Sequence, residues 1–167
     1  MEKIKAKEQV SMSICELADE IAENNTGIRN IVLAIQKTIL DHAHSLPERY
    51  EPKSIIESRF TPAEEAFEKG MLSCGARTNI AAAMLRHLGY KVKLIHGECK
   101  ESVDHSWISV QNPADGSWVQ YDLARNGAVV PLTNVVKQEV DSFNDIRDQI
   151  IEDHETLDER KKARINT

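Results

Sequence analysis

The sequence has few of the residues that mark several protein classes. It contains three cysteines, Cys15, Cys74 and Cys99, and no two of them have the Cys-x-x-Cys spacing common in zinc sites. A full disulfide framework is therefore excluded, a zinc cage is poorly supported, and a reducing, cytoplasmic setting is expected. Only 7 glycines and 5 prolines occur among the 167 residues, which excludes a collagen-like or low-complexity chain.

Long apolar runs and an excess of positive charge are also absent. No stretch approaches the roughly 20 apolar residues of a membrane helix, and the charged N-terminal segment lacks the apolar region of a secretory signal. The net charge of −6 does not suggest the basic face of a nucleic-acid-binding protein. With 41% apolar and 29% charged residues, the chain is typical of a soluble globular domain without nucleic-acid or membrane partners.

What is present, first, is helical periodicity. Apolar residues at spacings of three and four predict two amphipathic helices in the first 45 residues. Their apolar positions are Val10, Ile14, Leu17 and Ile21, then Ile28, Ile31, Val32, Ile35 and Ile39. A short third helix is predicted by Thr61 as N-cap, Pro62 in the first turn and Glu64 at the capping-box position. It should end at Gly70.

The next predicted helix begins at a cysteine. It runs from about Cys74 to His87, with Gly89 as its C-terminal cap, and Cys74 occupies the place where a helix normally has a small capping residue. A helix N-terminus lowers the pKa of a thiol and makes it a better nucleophile. Taken alone, however, a cysteine is more often a buried structural residue.

After Gly89 the apolar period changes to two, which predicts strands. They are "YKVKLIHG", "HSWISVQ" and "SWVQYDLA", the last two joined by the turn-rich "NPADG". Residues 128–140 are ambiguous, with a short strand at Val129–Val130 and a helix near Val135 as the elements considered. Phe143, Ile146, Ile150 and Leu157 have helical spacing and predict a C-terminal helix.

The hairpin formed by the last two predicted strands would bring two titratable residues together. If its loop is Asn112–Ser117, Gln111 faces Trp118, and His105 and Asp122 become diagonal neighbours on one face, about 7–8 Å apart at the backbone. A slip of one residue would place them on opposite faces. A histidine oriented by a carboxylate is the partner that a nucleophilic cysteine requires.

These segments resemble a known family. "SCGARTNIAAAMLRHLGYKVKLIHG", "DHSWISV" and "SWVQYDLA" are similar to the transglutaminase-like cysteine enzymes, relatives of the papain-like fold, in their small bacterial or archaeal form. The matching features are the helix-tip cysteine, "MLRHLG", a strand closed by Gly97, His-x-Trp at His105, and Trp-x-x-x-Asp ending at Asp122. The resemblance covers residues 61–125.

The resemblance implies an α+β fold, with N-terminal helices and the cysteine-bearing helix packed on a small antiparallel sheet. It also implies acyl transfer without cofactor or metal: the Cys74 thiolate attacks an acyl carbon, His105 protonates the leaving amine, and Asp122 holds the imidazole. Water would resolve the thioester by hydrolysis or deamidation, and an amine would resolve it by cross-linking. A protein or peptide is the expected substrate, and Trp107 and Trp118 are expected to be core residues or walls of the substrate cleft.

The sequence departs from the family pattern in three places. Leu72 stands where the family has glycine, Asp122 is followed by leucine instead of proline, and the usual upstream oxyanion donor is missing. Gln36 or Tyr50 is the candidate to replace that donor. These departures keep a second hypothesis open, in which the same fold is a non-catalytic module that binds a peptide or protein.

Two further predictions concern metal binding and domain organisation. His96, Cys99 and Asp104 suggest a metal site, but the spacing offers no fourth ligand. Residues 1–140 are predicted to form a single domain with its core at 61–125, followed by a charged C-terminal helix or tail at 141–167.

Overall fold

The computed structural model describes residues 13–54 and 56–165, without the side chains of Val103 and of residues 157–165. Within this part of the chain the helices are α1 (Ile14–Asn24), α2 (Ile28–Ser45), α3 (Ala63–Glu68), α4 (Cys74–His87) and α5 (Arg147–Ile165). The strands are β1 (Val92–Cys99), β2 (Ser102–Gln111), β3 (Trp118–Asp122), β4 (Ala128–Val129) and β5 (Val135–Val140). Single 3-10 turns occur at Glu57–Arg59, Leu123–Arg125 and Phe143–Ile146.

The strands form one antiparallel sheet in the order β4-β3-β2-β1-β5. In the β2–β3 hairpin, Gln111 faces Trp118 and Ile108 faces Tyr121, which is the register predicted from the loop. Helices packed on an antiparallel sheet confirm the α+β class.

The core lies between the helices and one face of the sheet. Ile35 of α2, Ile80 and Leu85 of α4 and Ile108 of β2 belong to one buried cluster. Phe143 and Ile150, from the predicted C-terminal segment, belong to the same cluster, and so that segment is packed into the core at its start. No helix in the described part of the chain has the length and apolar character needed to cross a bilayer.

The other face of the sheet buries Ile95 and Trp107, which alternate with the core-facing residues of their strands. Gly97 makes this packing possible. A Cβ atom at Gly97 would lie 2.3 Å from the carbonyl oxygen of Val135 and 2.5 Å from Cη2 of Trp107. Only glycine therefore lets β5 and the indole approach β1 so closely.

The predictions for α2 and the end of α4 are confirmed. Helix α2 covers residues 28–45 as expected. Gly89 has a positive φ of 94°, its N–H donates to Arg86, and the N–H of Tyr90 donates to Leu85, which together terminate α4. Helix α1 begins at Ile14, and Val10, which was assigned to the same helix, lies outside the described residues.

The capping box predicted for α3 is wrong. The hydroxyl of Thr61 donates to the carbonyl of Glu57 at 2.9 Å, and Pro62 instead occupies the capping position without a side-chain hydrogen bond. The carboxylate of Glu64 accepts from the backbone N–H of Ile14 at 3.3 Å, at the start of α1. Glu64 therefore satisfies an unpaired donor of a neighbouring helix and not of its own.

Of the two elements considered for the ambiguous residues 128–140, the helix near Val135 is contradicted. Val135–Val140 is strand β5, which pairs with β1 at the edge of the sheet. The other element considered in this region is present as the two-residue strand β4, whose Val129 pairs with Tyr121. Pairing with a neighbouring strand outweighs the weak helical spacing of residues 135–140.

Candidate active site

Cys74 is the first residue of α4, and the cap itself is Ser73. The hydroxyl of Ser73 accepts from the N–H of Ala76 at 3.4 Å, and its backbone is extended, as an N-cap requires. The N-cap therefore lies one residue before Cys74, and not at Cys74 itself, where the sequence led us to expect it. The half-buried thiol therefore lies in the first turn, beside N–H groups that the helix leaves unpaired.

His105 and Asp122 are in direct contact. His105 Nε2 lies 2.6 Å from Asp122 Oδ2, while Asp122 Oδ1 accepts from the N–H of Ala124 at 3.0 Å. The carboxylate, only 1% exposed, thus caps the turn that follows β3 and orients the imidazole at the same time. Because Nε2 faces the carboxylate, Nδ1 is the ring nitrogen left for proton exchange with the sulfur.

The thiol and the imidazole shift each other's pKa in opposite directions. Burial raises the pKa of Cys74, but hydrogen bonding to His105 and Ser106 and the charges of Arg59 and His105 outweigh it and lower the pKa to about 6. Burial lowers the pKa of His105, but Asp122 and Cys74 raise it to about 10. Between these values the pair exists as thiolate and imidazolium.

Arg59, which sequence reasoning missed, is the third group at the sulfur. Its guanidinium is 4% exposed, and Nη2 lies 3.7 Å from Cys74 Sγ and 2.8 Å from Asp104 Oδ1. A Cβ atom at Gly75 would lie 2.8 Å from Cδ of Arg59. A glycine in the first turn of a helix, next to a candidate nucleophile, is the sequence signal that could have indicated this close approach.

Arg77 connects the two segments that carry the site. Its Nε donates to the carbonyl of Leu72 at 2.7 Å and its Nη1 to the carbonyl of Leu123 at 3.3 Å. These bonds join the residues before Cys74 to the turn after Asp122. The leucine that replaces the glycine of the family pattern is therefore fixed through its backbone.

With this geometry established, the comparison with known proteins places the chain in a family. A family model for the transglutaminase-like superfamily matches residues 16–123. The chain belongs to the transglutaminase-like superfamily. No curated protein and no solved structure matches the chain. The matched range of this transglutaminase-like domain begins in α1 and includes Cys74, His105 and Asp122.

The two tryptophans considered as core or cleft-wall residues of this transglutaminase-like domain differ in their exposure. Trp107 is fully buried, donates from Nε1 to Gln120 at 2.7 Å, and has its ring centroid 5.8 Å from that of His105. Trp118 is 44% exposed at the far end of β3, four residues or about 13 Å from Asp122. Trp107 therefore packs beside His105 from within the protein.

The two candidate oxyanion donors differ in their environments. The hydroxyl of Tyr50 already donates to the carboxylate of Glu57 at 2.7 Å. Gln36 is 3% exposed, and neither its amide nitrogen nor its amide oxygen has a hydrogen-bond partner among the described residues. Of the two candidates, Gln36 is therefore the one whose donor is not already bonded to another described residue.

The residues considered for a metal site have protein partners. His96 Nε2 lies 2.7 Å from Asp153 Oδ2, and its Nδ1 lies 3.3 Å from Nη1 of Arg59. The sulfur of Cys99 lies 3.9 Å from a guanidinium nitrogen of Arg125. Among the side chains that the structure describes, in residues 13–54, 56–102 and 104–156, no group of three or more His, Cys, Asp or Glu is arranged to hold a metal ion.

Proposed function

We propose that this transglutaminase-like domain catalyses acyl transfer or amide hydrolysis through Cys74, His105 and Asp122. The observation that carries the proposal is the position of His105, whose Nε2 is held by a buried carboxylate while its ring interacts with the thiol at a helix N-terminus. This is the arrangement of nucleophile, base and orienting group that nucleophilic catalysis requires.

In the first half of the reaction, the Cys74 thiolate attacks the acyl carbon and forms a carbon–sulfur bond. The charge on the acyl oxygen is stabilised by the N–H groups at the start of α4. When the carbon–nitrogen bond breaks, the leaving amine takes the proton of the His105 imidazolium, and a thioester remains.

In the second half, neutral His105 takes a proton from water or from an amine as that nucleophile attacks the thioester. The carbon–sulfur bond breaks, its electron pair returns to the sulfur, and the thiolate–imidazolium pair forms again. Water yields an acid, and an amine yields a new amide, and so the same residues serve hydrolysis, deamidation and cross-linking.

A carboxamide-bearing peptide or protein, such as one with an accessible glutamine, is the proposed substrate class. A reducing, cytoplasmic compartment is the proposed location, because Cys15, Cys74 and Cys99 are all free thiols in the structure.

The first test uses a chain in which Cys15→Ser and Cys99→Ser leave Cys74 as the one thiol. With p-nitrophenyl acetate, we expect a burst of nitrophenol and an intact mass increased by one acetyl group on Cys74. A glutamine-containing peptide should release ammonia, or incorporate a primary amine when one is supplied.

The matched control compares two histidines. His105→Asn should slow the burst strongly, whereas His87→Asn, at the other end of α4 and bound to Asp19, should leave it unchanged. Equal bursts in both variants would contradict the proposal. Peptide binding that survives Cys74→Ala, together with no acetylation of the Cys74-containing chain, would favour the non-catalytic binding module.

A further inference from the structure

Arg59 places a permanent positive charge against the sulfur of Cys74. Nη2 lies 3.7 Å from Sγ, and the side chain is almost fully buried. An arginine keeps its proton at every pH at which a protein is folded, unlike the histidine on which a cysteine usually depends. At this distance and in this degree of burial, solvent screens the attraction only weakly.

The position of Arg59 is built into the fold. The amide of Asn79 donates to the carbonyls of Ser58 and Arg59, at 3.1 Å each, and fixes the 3-10 turn from which the arginine extends. Gly75 leaves room for the side chain, as described above, and the ring of Phe143 lies 5.3 Å from the guanidinium carbon. Helix α4 and the 3-10 turn at Phe143–Ile146 therefore hold the guanidinium beside the thiol.

Asp104 shares the same guanidinium nitrogen. Nη2 donates to Asp104 Oδ1 at 2.8 Å while it faces the sulfur, and so the carboxylate and the thiolate compete for one cation. The titratable and charged groups around this contact come from six elements. They are His96 on β1, Asp104 and His105 on β2, Asp122 on β3, Arg77 on α4, Lys137 on β5, and Asp153 and His154 on α5.

We propose that Arg59 is a second cationic partner of Cys74, which keeps the sulfur ionised when His105 has no proton to offer. The inference rests on the proposed function, because it assigns the charge partner of the same nucleophile. In the reaction, His105 is neutral from the departure of the amine until it takes a proton from the second nucleophile. Arg59 keeps its charge throughout. Together with the reprotonated His105, it stabilises the negative charge that returns to the sulfur when the thioester carbon–sulfur bond breaks.

The experiment measures the rate of alkylation by iodoacetamide against pH, again with Cys74 as the one thiol. Arg59→Gln should move the midpoint of the profile upward by about 1–2 pH units and slow alkylation at pH 6 by about 5- to 50-fold. Arg59→Lys keeps the positive charge, and its midpoint should lie close to that of the parent chain. Asp104→Asn removes the competitor and should move the midpoint downward.

Opposite shifts for Arg59→Gln and Asp104→Asn distinguish charge from packing, because a loosened site would move both profiles in the same direction. Arg86→Gln is the matched control, since Arg86 lies about 18 Å from Cys74 along the same helix and should leave the midpoint unchanged. If Arg59→Gln does not fold, the double variant Arg59→Gln/Asp104→Asn leaves no unpaired buried charge from this pair and should still raise the midpoint.

The outcomes separate this inference from the proposed function. A low midpoint that His105→Ala raises, but that neither Arg59→Gln nor the double variant moves, overturns the role of Arg59 and leaves the triad intact. A midpoint near that of an ordinary thiol in the parent chain, unmoved by His105→Ala, overturns both. A midpoint that rises further in His105→Ala/Arg59→Gln than in His105→Ala supports the inference.

Discussion

Replacing Asp122 by asparagine should convert His105 from a cation into a neutral imidazole. The new amide oxygen can still accept from the N–H of Ala124, but the amide nitrogen then faces His105 Nε2. Because this amide nitrogen is itself a hydrogen-bond donor, it can bond to Nε2 only when Nε2 carries no proton. The His105 ring is therefore expected to be neutral. Asp122 is the largest of the influences that raise the pKa of His105 from 6.5 to about 10, and we expect most of that rise to disappear.

The loss of the His105 imidazolium should reduce the ionised fraction of Cys74, and the size of that reduction can be worked out from its pKa. With a pKa of about 6, roughly nine-tenths of Cys74 is ionised at pH 7. A rise of about 1–2 units reduces that fraction to between about one-half and one-tenth, and alkylation slows by about two- to tenfold. Acylation also requires the lost proton donor, and it should slow by about a thousandfold or more. The broken hydrogen bond should lower the free energy of unfolding by about 1–3 kcal/mol.

The assay combines the alkylation profile with an NMR titration of the His105 ring protons. Asp115→Asn is the control, since Asp115 accepts hydrogen bonds only within the exposed hairpin loop, from the backbone and side chain of Ser117. That variant should match the parent chain. An Asp122→Asn profile identical to the parent's, with His105 still titrating near pH 10, would refute the reasoning.

Two further predictions concern stability. Folding lowers the pKa of Cys74 and raises that of His105, so the thiolate contribution is lost as pH falls through about 6 and the imidazolium contribution as pH rises through about 10. Between pH 6.5 and 9 the two contributions change the free energy of unfolding in opposite directions and cancel. In Cys74→Ser only the His105 contribution remains, so the free energy of unfolding should fall by up to about 1.4 kcal/mol per pH unit. Urea unfolding at pH 6.5 and 8.5 measures this change, and equal values for the variant at the two pH values would contradict it. Gln36→Leu removes an amide that is buried without partners among the described residues, and it should raise the free energy of unfolding by about 1–3 kcal/mol. If urea denaturation instead shows a lower free energy of unfolding, the Gln36 amide has a hydrogen-bond partner in the folded protein.

The hairpin that carries His105 and Asp122 could be predicted because its information is local. The loop at residues 112–117 sets the register, and the strand period of two then places both side chains on one face. Helix α4 could be predicted for the same reason, since its apolar face and terminal Gly89 are close together in the sequence. In both cases one short segment contains the whole signal.

The features that the sequence did not predict depend on contacts between distant segments. Arg59 lies in a 3-10 turn without periodic pattern, and its partner Asp104 is 45 residues away. Glu64 was assigned to its own helix because no local rule shows that the N–H of Ile14 is nearby. Residues 135–140 became a strand because β1 offers an edge, which the segment alone does not reveal.

The tie between His96 and Asp153 has a consequence for the order of synthesis. Cys74, His105 and Asp122 are all synthesised before Phe143 and Asp153, and domains fold during synthesis in that direction. A product truncated before residue 143 would contain the complete triad but lack the carboxylate that holds His96 and the ring that packs on Arg59. The contacts that support Arg59 and His96 around Cys74 are thus completed only after Cys74 itself has been synthesised.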